Sequence, residues 1–277
     1  MKAALTVALV ALLFALAHTR VGVWLVFDIA GDWDDGALNL SAADGPLKIS
    51  SQLTASGTLL LPTTIEQASG ISVESDAIYI STDQAELFAL DHNGVIARQV
   101  DLVGGLLLLK QGSIEAITSR EGDIYAIGET GNLLKLAVGG VNKPTVVPLP
   151  GSLANLEYSG LVNYQGRFLA VTGDDFRVFD LTRAETHNIS AGDFLKPGRT
   201  TSELMFSGIT TDGHDLFIVT ENHTSLLKVS AQTWTVEAVF DLDNVEASDV
   251  DFFGDQFYVT VDHNYFDPRP PLYQYKF

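Results

Sequence analysis

The sequence predicts an all-β protein, a five-bladed β-propeller that follows an N-terminal signal or membrane-anchor helix. A unit of forty-odd residues recurs five times, which is the signature of propeller blades. Each unit contains short runs of β-branched and aromatic residues separated by polar turns, as expected for strands of a sheet. A chain of 277 residues with 46% hydrophobic content is long enough to bury one core of this kind.

The first residues are typical of an export segment. Lys2 supplies a short positive region, the run from Ala3 to Ala17 is almost entirely apolar, and Ala15-Leu16-Ala17 fits a small-x-small cleavage site. The run is short for a membrane span, but Val21 to Phe27 extends it past Arg20. A cleaved signal peptide and an uncleaved membrane anchor therefore both stay open.

We predict three parts of the chain: a signal peptide or N-terminal membrane anchor at 1–26, a linker at 27–46 and a propeller domain at 47–277. Residues 18 to about 45 show weak periodicity with several acidic and glycine residues, which favours a linker. A sixth blade in this region is the alternative, although no opening motif supports it. The export segment predicts an extracytoplasmic location, either periplasmic or anchored to the plasma membrane.

Each of the five repeats opens on a short motif. The openings are Ser69-Gly70-Ile71, Glu115-Ala116-Ile117, Ser159-Gly160-Leu161, Ser207-Gly208-Ile209 and Ser248-Asp249-Val250. A polar turn and a β-branched or aromatic run follow each opening, and these runs predict second strands at Ile78–Ser81, Ile124–Ile127, Phe168–Val171, Leu216–Val219 and Phe257–Thr260.

Later runs in each repeat predict the outer strands. Third strands are expected at Glu86–Leu90, Asn132–Leu136, Asp175–Phe179, Ser225–Val229 and Leu272–Phe277. Fourth strands are expected at Val95–Leu102, Thr145–Leu149 and Val236–Leu242. The last repeat stops after its third strand, whereas Thr54–Leu61 resembles a fourth strand without a blade. We therefore predict that this N-terminal segment completes the last blade and leaves no open sheet edge.

The charge balance limits the classes of partner. Sixteen Lys and Arg residues stand against 35 Asp and Glu residues, and the formal net charge is -19. Such a surface repels phosphate backbones and anionic lipids, so we expect cations and no nucleic acid as partners. The alternative is that the acidity only keeps an exported protein soluble. The absence of cysteine excludes disulfides, thiolate metal sites and cysteine nucleophiles.

Two series of acidic residues recur with the blades. One lies at or just before the openings and consists of Glu66, Glu115, Glu157, Glu203 and Glu246. The other lies at the ends of the predicted second strands and consists of Asp83, Glu129, Asp174, Glu221 and Asp262. Because first and second strands are antiparallel, the start of one lies beside the end of the other. Both series are therefore predicted to share one mouth of the central channel.

Carboxylates crowded around a channel need a counter-charge or raised pKa values. Oxygen ligands without cysteine or a recurring histidine favour a hard ion, and the variable offsets suit the flexible coordination of calcium. The alternative is that these acids cap strand ends and face water. The six histidines do not recur at one blade position, and we expect most of them to be solvated in polar turns; they are His18, His92, His187, His214, His223 and His263. No catalytic triad is predicted from them.

The openings resemble those of the SdiA-regulated (YjiK-like) β-propeller family over roughly Leu47 to Phe277. The matching phrases are Leu60-Leu61-Pro62, Glu66-Gln67-Ala68-Ser69-Gly70-Ile71, Ile114-Glu115-Ala116-Ile117 and Glu157-Tyr158-Ser159-Gly160-Leu161. The resemblance implies an N-terminal membrane or export segment, a five-bladed propeller related to NHL repeats, and a calcium site at acidic openings.

Within that resemblance the opening glutamates do not match equally well. Glu115 and Glu157 match the family's opening glutamates, and Glu246 matches fairly. Glu66 is displaced by one position because Gln67 occupies the usual acidic place, and Glu203 lies four residues before Ser207.

The expected function is that of a calcium-binding, exported or membrane-anchored β-propeller of the bacterial envelope, with a non-catalytic sensing or interaction role. A metal-dependent hydrolase of phosphate esters or lactones that uses a channel calcium is the alternative. No residue identifies a base or nucleophile for it, so the sequence leans away from an enzyme. A purely structural interaction propeller is a third possibility. The expected partners are a metal ion and an unidentified protein or small molecule, with membrane contact only through the N-terminal segment.

Overall fold

Alternating and β-branched runs form short strands, and polar turns join them. The computed structural model describes residues 41–83, 86–101, 113–128, 131–136, 144–243, 245–261 and 270–277. The predicted signal or anchor segment lies outside these residues. Among the described residues, no helix is long and apolar enough to cross a membrane.

The strands form five sheets, numbered here as blades 1 to 5, and each blade's first strand is innermost. Blade 1 contains β3 (Ala68–Val73), β4 (Ile78–Thr82), β5 (Glu86–Leu90) and β6 (Ile96–Asp101). Blade 2 contains β7 (Ala116–Arg120), β8 (Asp123–Ile127), β9 (Leu133–Leu136) and β10 (Thr145–Val147). Blade 3 contains β11 (Tyr158–Tyr164), β12 (Arg167–Thr172), β13 (Arg177–Asp180) and β14 (Glu185–Asn188).

The last two blades also take up the N-terminal strands. Blade 4 contains β15 (Phe206–Thr211), β16 (Leu216–Thr220), β17 (Ser225–Val229) and β18 (Val236–Asp241), with β1 (Ser51–Gln52) added in parallel at its outer edge. Blade 5 contains β19 (Asp249–Phe253), β20 (Gln256–Thr260), β21 (Pro271–Lys276) and β2 (Ala55–Leu60). Two short 3-10 helices, Gly192–Phe194 and Thr201–Glu203, lie between blades 3 and 4.

The five-bladed prediction is confirmed, and the N-terminal strand closes the ring as expected. Strand β2 pairs antiparallel with β21, with Leu59 opposite Leu272. Sequence reasoning did not identify β14 as a strand. Its residues Glu185–Asn188 are mostly exposed and lack apolar alternation, so only pairing with β13 shows it to be a strand.

Residues 41–53 run along blades 3 and 4 before they enter blade 5. Leu47 forms a β-bridge with Leu195 in the connection between these blades. The Lys196 ammonium donates to the carbonyl oxygens of Ala43 and Gly45 at 2.7 and 2.6 Å. One continuous N-terminal segment therefore contacts three consecutive blades.

Small residues recur at the openings because the inner strands approach closely. A Cβ added to Gly160 would lie 2.9 Å from Cα of Gly208, and one added to Gly70 would lie 2.9 Å from the Ile117 amide nitrogen. The opening motif therefore reflects backbone-to-backbone packing around the channel. Ala116 and Asp249 take the glycine position in blades 2 and 5.

Side chains of one inner strand satisfy amides of the next. Thr118 Oγ1 in blade 2 accepts the amide of Asn163 in blade 3, and Thr210 Oγ1 in blade 4 accepts the amide of Phe252 in blade 5. These bonds satisfy backbone amides of the inner strands that do not hydrogen-bond within their own sheet. Apolar clusters fill the spaces further out, including a large one that contains Val171 and Ile218 between blades 3 and 4.

Candidate cation site at the channel mouth

In each opening, one residue directly precedes the glycine position, and these five residues form a ring at one mouth of the channel. Its five members are Ser69, Glu115, Ser159, Ser207 and Ser248. All five line a cavity of about 160 Å³, together with Gly173, Phe206 and Glu221. The structure thus turns the repeat of the sequence into a ring of four hydroxyls and one carboxylate.

Three of these serines tie adjacent blades together. Ser69 Oγ donates to the Ile114 carbonyl and Ser159 Oγ to the Phe206 carbonyl, each at 2.6 Å. Ser207 Oγ donates in the same way to the Ala247 carbonyl. Glu115 replaces serine in blade 2 and accepts a hydrogen bond from Ser113. Blade 2 therefore presents a charge to the channel where the other blades present hydroxyls.

A second cavity, of about 210 Å³, adjoins the ring between blades 2 and 3 and is called here the carboxylate cavity. Its lining residues are Glu115, Glu157, Tyr158, Ser159, Gly173 and Asp174. Glu157 precedes β11 and Asp174 follows its antiparallel neighbour β12, so sheet pairing brings the two carboxylates to the same edge. Glu115 is common to both cavities.

The remaining acids of the two predicted series lie in different surroundings. Glu221 lines the ring cavity, and Asp83 follows β4, where its amide donates to the Gln67 carbonyl. Glu66 is exposed and Glu246 is half-buried, and neither lines the two cavities. Glu129 and Asp262 lie outside the described residues.

Glu203 belongs to a local ion pair. Its carboxylate accepts a hydrogen bond from Arg199 Nε at 3.2 Å and one from the Thr200 amide. The Arg199 hydrogen bond lowers the pKa of Glu203. The basic partner lies four residues upstream, and sequence reasoning did not take it into account.

The channel carboxyls with raised pKa values are Asp249 and Asp251, which neither series includes. Asp249 is buried, and its Oδ2 accepts the Ile71 amide at 3.0 Å across the seam from blade 5 to blade 1. Its Oδ1 has no hydrogen-bond partner among the described residues. Burial raises the pKa of Asp249 well above its usual value.

Asp251 follows on the same face of β19. Its Oδ2 accepts the Val73 amide at 2.6 Å and its Oδ1 accepts the Thr210 hydroxyl at 2.8 Å. Burial raises the pKa of Asp251 to about 6. The sequence did contain a signal for this pair, because an aspartate stands where three other openings have glycine.

A separate cluster on blade 3 could hold a metal ion. Ligand atoms of Asp180, Glu185 and His187 all lie within 4.8 Å of one another. Within the described part of the chain it is the one group of three such side chains this close, and the carboxylates of the mouth are spaced more widely. Asp180 and Glu185 are cross-strand partners in the β13–β14 hairpin, and His187 is two residues further along β14.

The expectation of solvated histidines is wrong for two of them. His187 stacks on Trp234 with ring centroids 3.9 Å apart, and His223 is only 2% exposed beneath the N-terminal segment at Gly45. Burial lowers the pKa of both imidazoles. Tertiary packing of segments distant in sequence creates both environments, so neither was predictable from local polarity.

Comparison with known proteins supports the fold alone. No protein-family model matches the chain, and no curated protein matches it. The structure is similar to glutaminyl cyclase from Myxococcus xanthus, with a TM-score of 0.60 and 14% identity over 83% of this chain and 98% of that one.

Two further solved structures are more distant. The PQQ-bound aldose sugar dehydrogenase from Streptomyces coelicolor gives a TM-score of 0.49 with 14% identity over 81% of this chain and 98% of that one. The Cps50 (Swd1) β-propeller domain from Myceliophteria thermophila gives 0.42 with 12% identity over 74% and 82%. The structural neighbours are β-propeller proteins, and at such low identity their activities do not transfer.

Proposed function

We propose that the protein is a cation-binding propeller of the bacterial envelope and that the carboxylate cavity holds Ca²⁺. The observation that carries this proposal is the lining of that cavity. Three carboxylates from two adjacent blades, Glu115, Glu157 and Asp174, share about 210 Å³, and no basic side chain is among the lining residues that the structure describes. A divalent cation offsets the repulsion of such a group.

The donor set favours calcium over other ions. Its described lining residues offer carboxylate oxygens and the Ser159 hydroxyl, and none of them offers a nitrogen or sulfur side-chain ligand. Calcium takes roughly six to eight oxygens in flexible geometry, with water completing the shell, whereas Mg²⁺ requires a near-ideal octahedron. The carboxylate oxygens of Glu115, Glu157 and Asp174 do not all lie within 4.8 Å of one another. Binding of an ion would therefore draw these flexible side chains inward.

A buried carboxyl oxygen without a hydrogen-bond partner also supports a cation at this mouth. Asp249 directly follows Ser248, which belongs to the ring at the channel mouth. Its buried Oδ1 has no hydrogen-bond partner among the described residues. A positive charge above it would lower the energy of its ionised form. The resemblance of the openings to the SdiA-regulated family, carried best by Glu115 and Glu157, supports the same assignment.

The hydrogen bonds of the serines argue against a serine nucleophile at the mouth. Ser69, Ser159 and Ser207 donate their hydroxyls to backbone carbonyls of the next blade. A nucleophilic serine would instead donate to a general base. We assign the mouth a sensing or partner-binding role, and we propose the envelope location on the basis of the predicted export segment.

Calorimetric titration of the full chain with Ca²⁺ tests the proposal. The wild type is expected to bind one ion at the mouth, and the double variant Glu115→Gln plus Glu157→Gln is expected to bind at least about tenfold more weakly, because each substitution removes a charged ligand.

The matched control is Asp76→Asn plus Glu121→Gln. It removes the same two charges from turns between first and second strands, at the opposite face of the propeller. Equal binding by wild type and this control, with loss only in the mouth variant, supports the assignment. Equal weakening in both double variants would mean that overall charge alone attracts the ion, and no binding by the wild type would end the proposal.

A further inference from the structure

We infer that the β13–β14 hairpin of blade 3 carries a second metal site, built from Asp180, Glu185 and His187 and suited to Zn²⁺ or a similar transition-metal ion. It lies on the outer strands, whereas the carboxylate cavity lies at the inner strand starts. The two sites therefore use different residues and different ligand chemistry.

The geometry of the histidine and glutamate fits a bound ion. His187 Nε2 lies 3.7 Å from Glu185 Oε2, which is too long for a hydrogen bond. Zinc binds nitrogen and carboxylate oxygen at about 2.0–2.2 Å, so two such ligands at a tetrahedral angle are about 3.4 Å apart. A small inward movement of one side chain would place both atoms on a common ion.

His187 is prepared for metal binding by its surroundings. Nε2 is inaccessible to solvent and has no hydrogen-bond partner among the described residues. Stacking on Trp234, with 5° between the ring planes, fixes the direction in which the imidazole points.

Asp180 supplies the third ligand, a carboxylate oxygen that is already oriented. Its Oδ1 accepts the amides of Thr182 and Arg183 in the hairpin turn, and its Oδ2 accepts Arg167 Nη1 at 3.0 Å. A carboxylate oxygen has two lone pairs, so Oδ2 retains one for a metal. Arg167 then acts as an outer-shell partner that holds the ligand in place.

A metal here would stabilise the weakest part of blade 3. Strand β14 is short, polar and mostly exposed. It is held to blade 4 by the His187–Trp234 stack and by the parallel bridge between Ser190 and Thr235. An ion linking Glu185 and His187 of β14 to Asp180 of β13 would fix this hairpin and, through Trp234, its seam with blade 4.

Zinc titration of tag-free full chain, with the thermal midpoint measured in parallel, tests this inference. We expect one Zn²⁺ per chain, a raised midpoint, and affinity at least about tenfold weaker in Glu185→Gln and in His187→Gln. Glu185→Gln keeps the His187–Trp234 stack, so it separates ligand loss from loss of packing. The mouth double variant Glu115→Gln plus Glu157→Gln should bind Zn²⁺ as wild type does.

The control is His214→Gln. His214 is an exposed histidine whose Nδ1 lies 3.0 Å from a carboxylate oxygen of Asp215, so it represents adventitious surface binding. Co²⁺ provides an independent readout, because at the proposed site it would quench the emission of the adjacent Trp234, and Trp234→Phe should remove that signal. Absence of zinc binding, retention of full affinity in His187→Gln, or loss of affinity in His214→Gln would each overturn the inference.

Discussion

At the scale of single residues, Asp249 and Asp251 show how burial in the channel controls the ionisation of a carboxyl group. Asp249 and Asp251 lie on one face of β19, and both accept amides of β3 across the seam between blades 5 and 1. The hydrogen bonds stabilise the ionised forms, but burial opposes ionisation more strongly and raises both pKa values. The seam therefore binds protons more tightly when the protein is folded.

The raised pKa of Asp251 predicts that the stability of the folded protein depends on pH. Its pKa rises from 3.8 when unfolded to about 6 when folded, so its contribution is fully present below about pH 4 and is lost as the pH rises through 6. We expect Asp251→Asn to remove the part of this decline that Asp251 causes and to raise the free energy of unfolding at pH 8 by on the order of 3 kcal/mol.

Urea unfolding of Asp251→Asn at pH 4, 6 and 8 measures this effect. Asp255→Asn, in the exposed turn of the same hairpin, is the control and should follow the wild type. Asp249 has a shift of the same sign, so part of the decline should persist in Asp251→Asn. Parallel pH profiles for Asp251→Asn and wild type would contradict the assignment.

At the scale of elements, the inner strands are held by small residues and by hydroxyl-to-carbonyl bonds. Gly160 and Gly208 permit backbone contact between β11 and β15, and Ser159 reaches from the same opening to the Phe206 carbonyl. Packing and hydrogen bonding thus depend on the same two-residue motif. Its recurrence in the sequence is a consequence of the channel geometry.

Gly160→Ala tests this packing. The added Cβ would lie 2.9 Å from Gly208 Cα, and a backbone atom cannot move aside as a side chain can. We expect a loss of about 1–3 kcal/mol in the free energy of unfolding, measured by urea denaturation. Gly151→Ala is the control because nothing lies within 4 Å of its added Cβ. Equal free energies of unfolding for the two variants would show that the inner strands can move apart without loss of stability.

At the scale of the whole molecule, ring closure depends on the N-terminal segment. Strand β2 completes blade 5, and the following Leu61 is fully buried in the cluster that joins blade 5 to blade 1 through Leu272 and Ile71. Blades 1 and 5 are distant in sequence and adjacent in space. The segment therefore determines whether the ring is complete.

Leu61→Ala should weaken the closed ring as a unit. Removing this buried side chain is expected to lower the free energy of unfolding by about 2–5 kcal/mol, with one cooperative transition followed by circular dichroism. The neighbouring Leu60 is 42% exposed, so Leu60→Ala should change stability by less than about 0.5 kcal/mol. Comparable losses in both variants would contradict the role given to Leu61.

Sequence alone was sufficient for the number of blades, most strands and the closing strand, because strand periodicity and repeated openings are local patterns. It also predicted that Glu115, Glu157 and Asp174 lie at one mouth of the channel, where they line one cavity, since antiparallel pairing relates strand starts to strand ends. Tertiary structure decided which of the predicted acids line the cavities. Glu115 and Glu157 directly precede their first strands, whereas the opening acids that line neither cavity lie two or three residues before theirs; these are Glu66, Glu203 and Glu246.

Tertiary structure also revealed two buried or partly buried environments that the prediction from sequence did not include. The raised pKa values of Asp249 and Asp251 come from the seam between the first and last blades, which are far apart in the chain. The Asp180, Glu185 and His187 cluster requires the register of a hairpin whose second strand has no apolar pattern, and His187 gains its ring partner from blade 4. The aspartate at the glycine position of the last opening marks Asp249 in the sequence, but its burial, like the pairing that assembles the blade 3 cluster, is decided by contacts between distant segments.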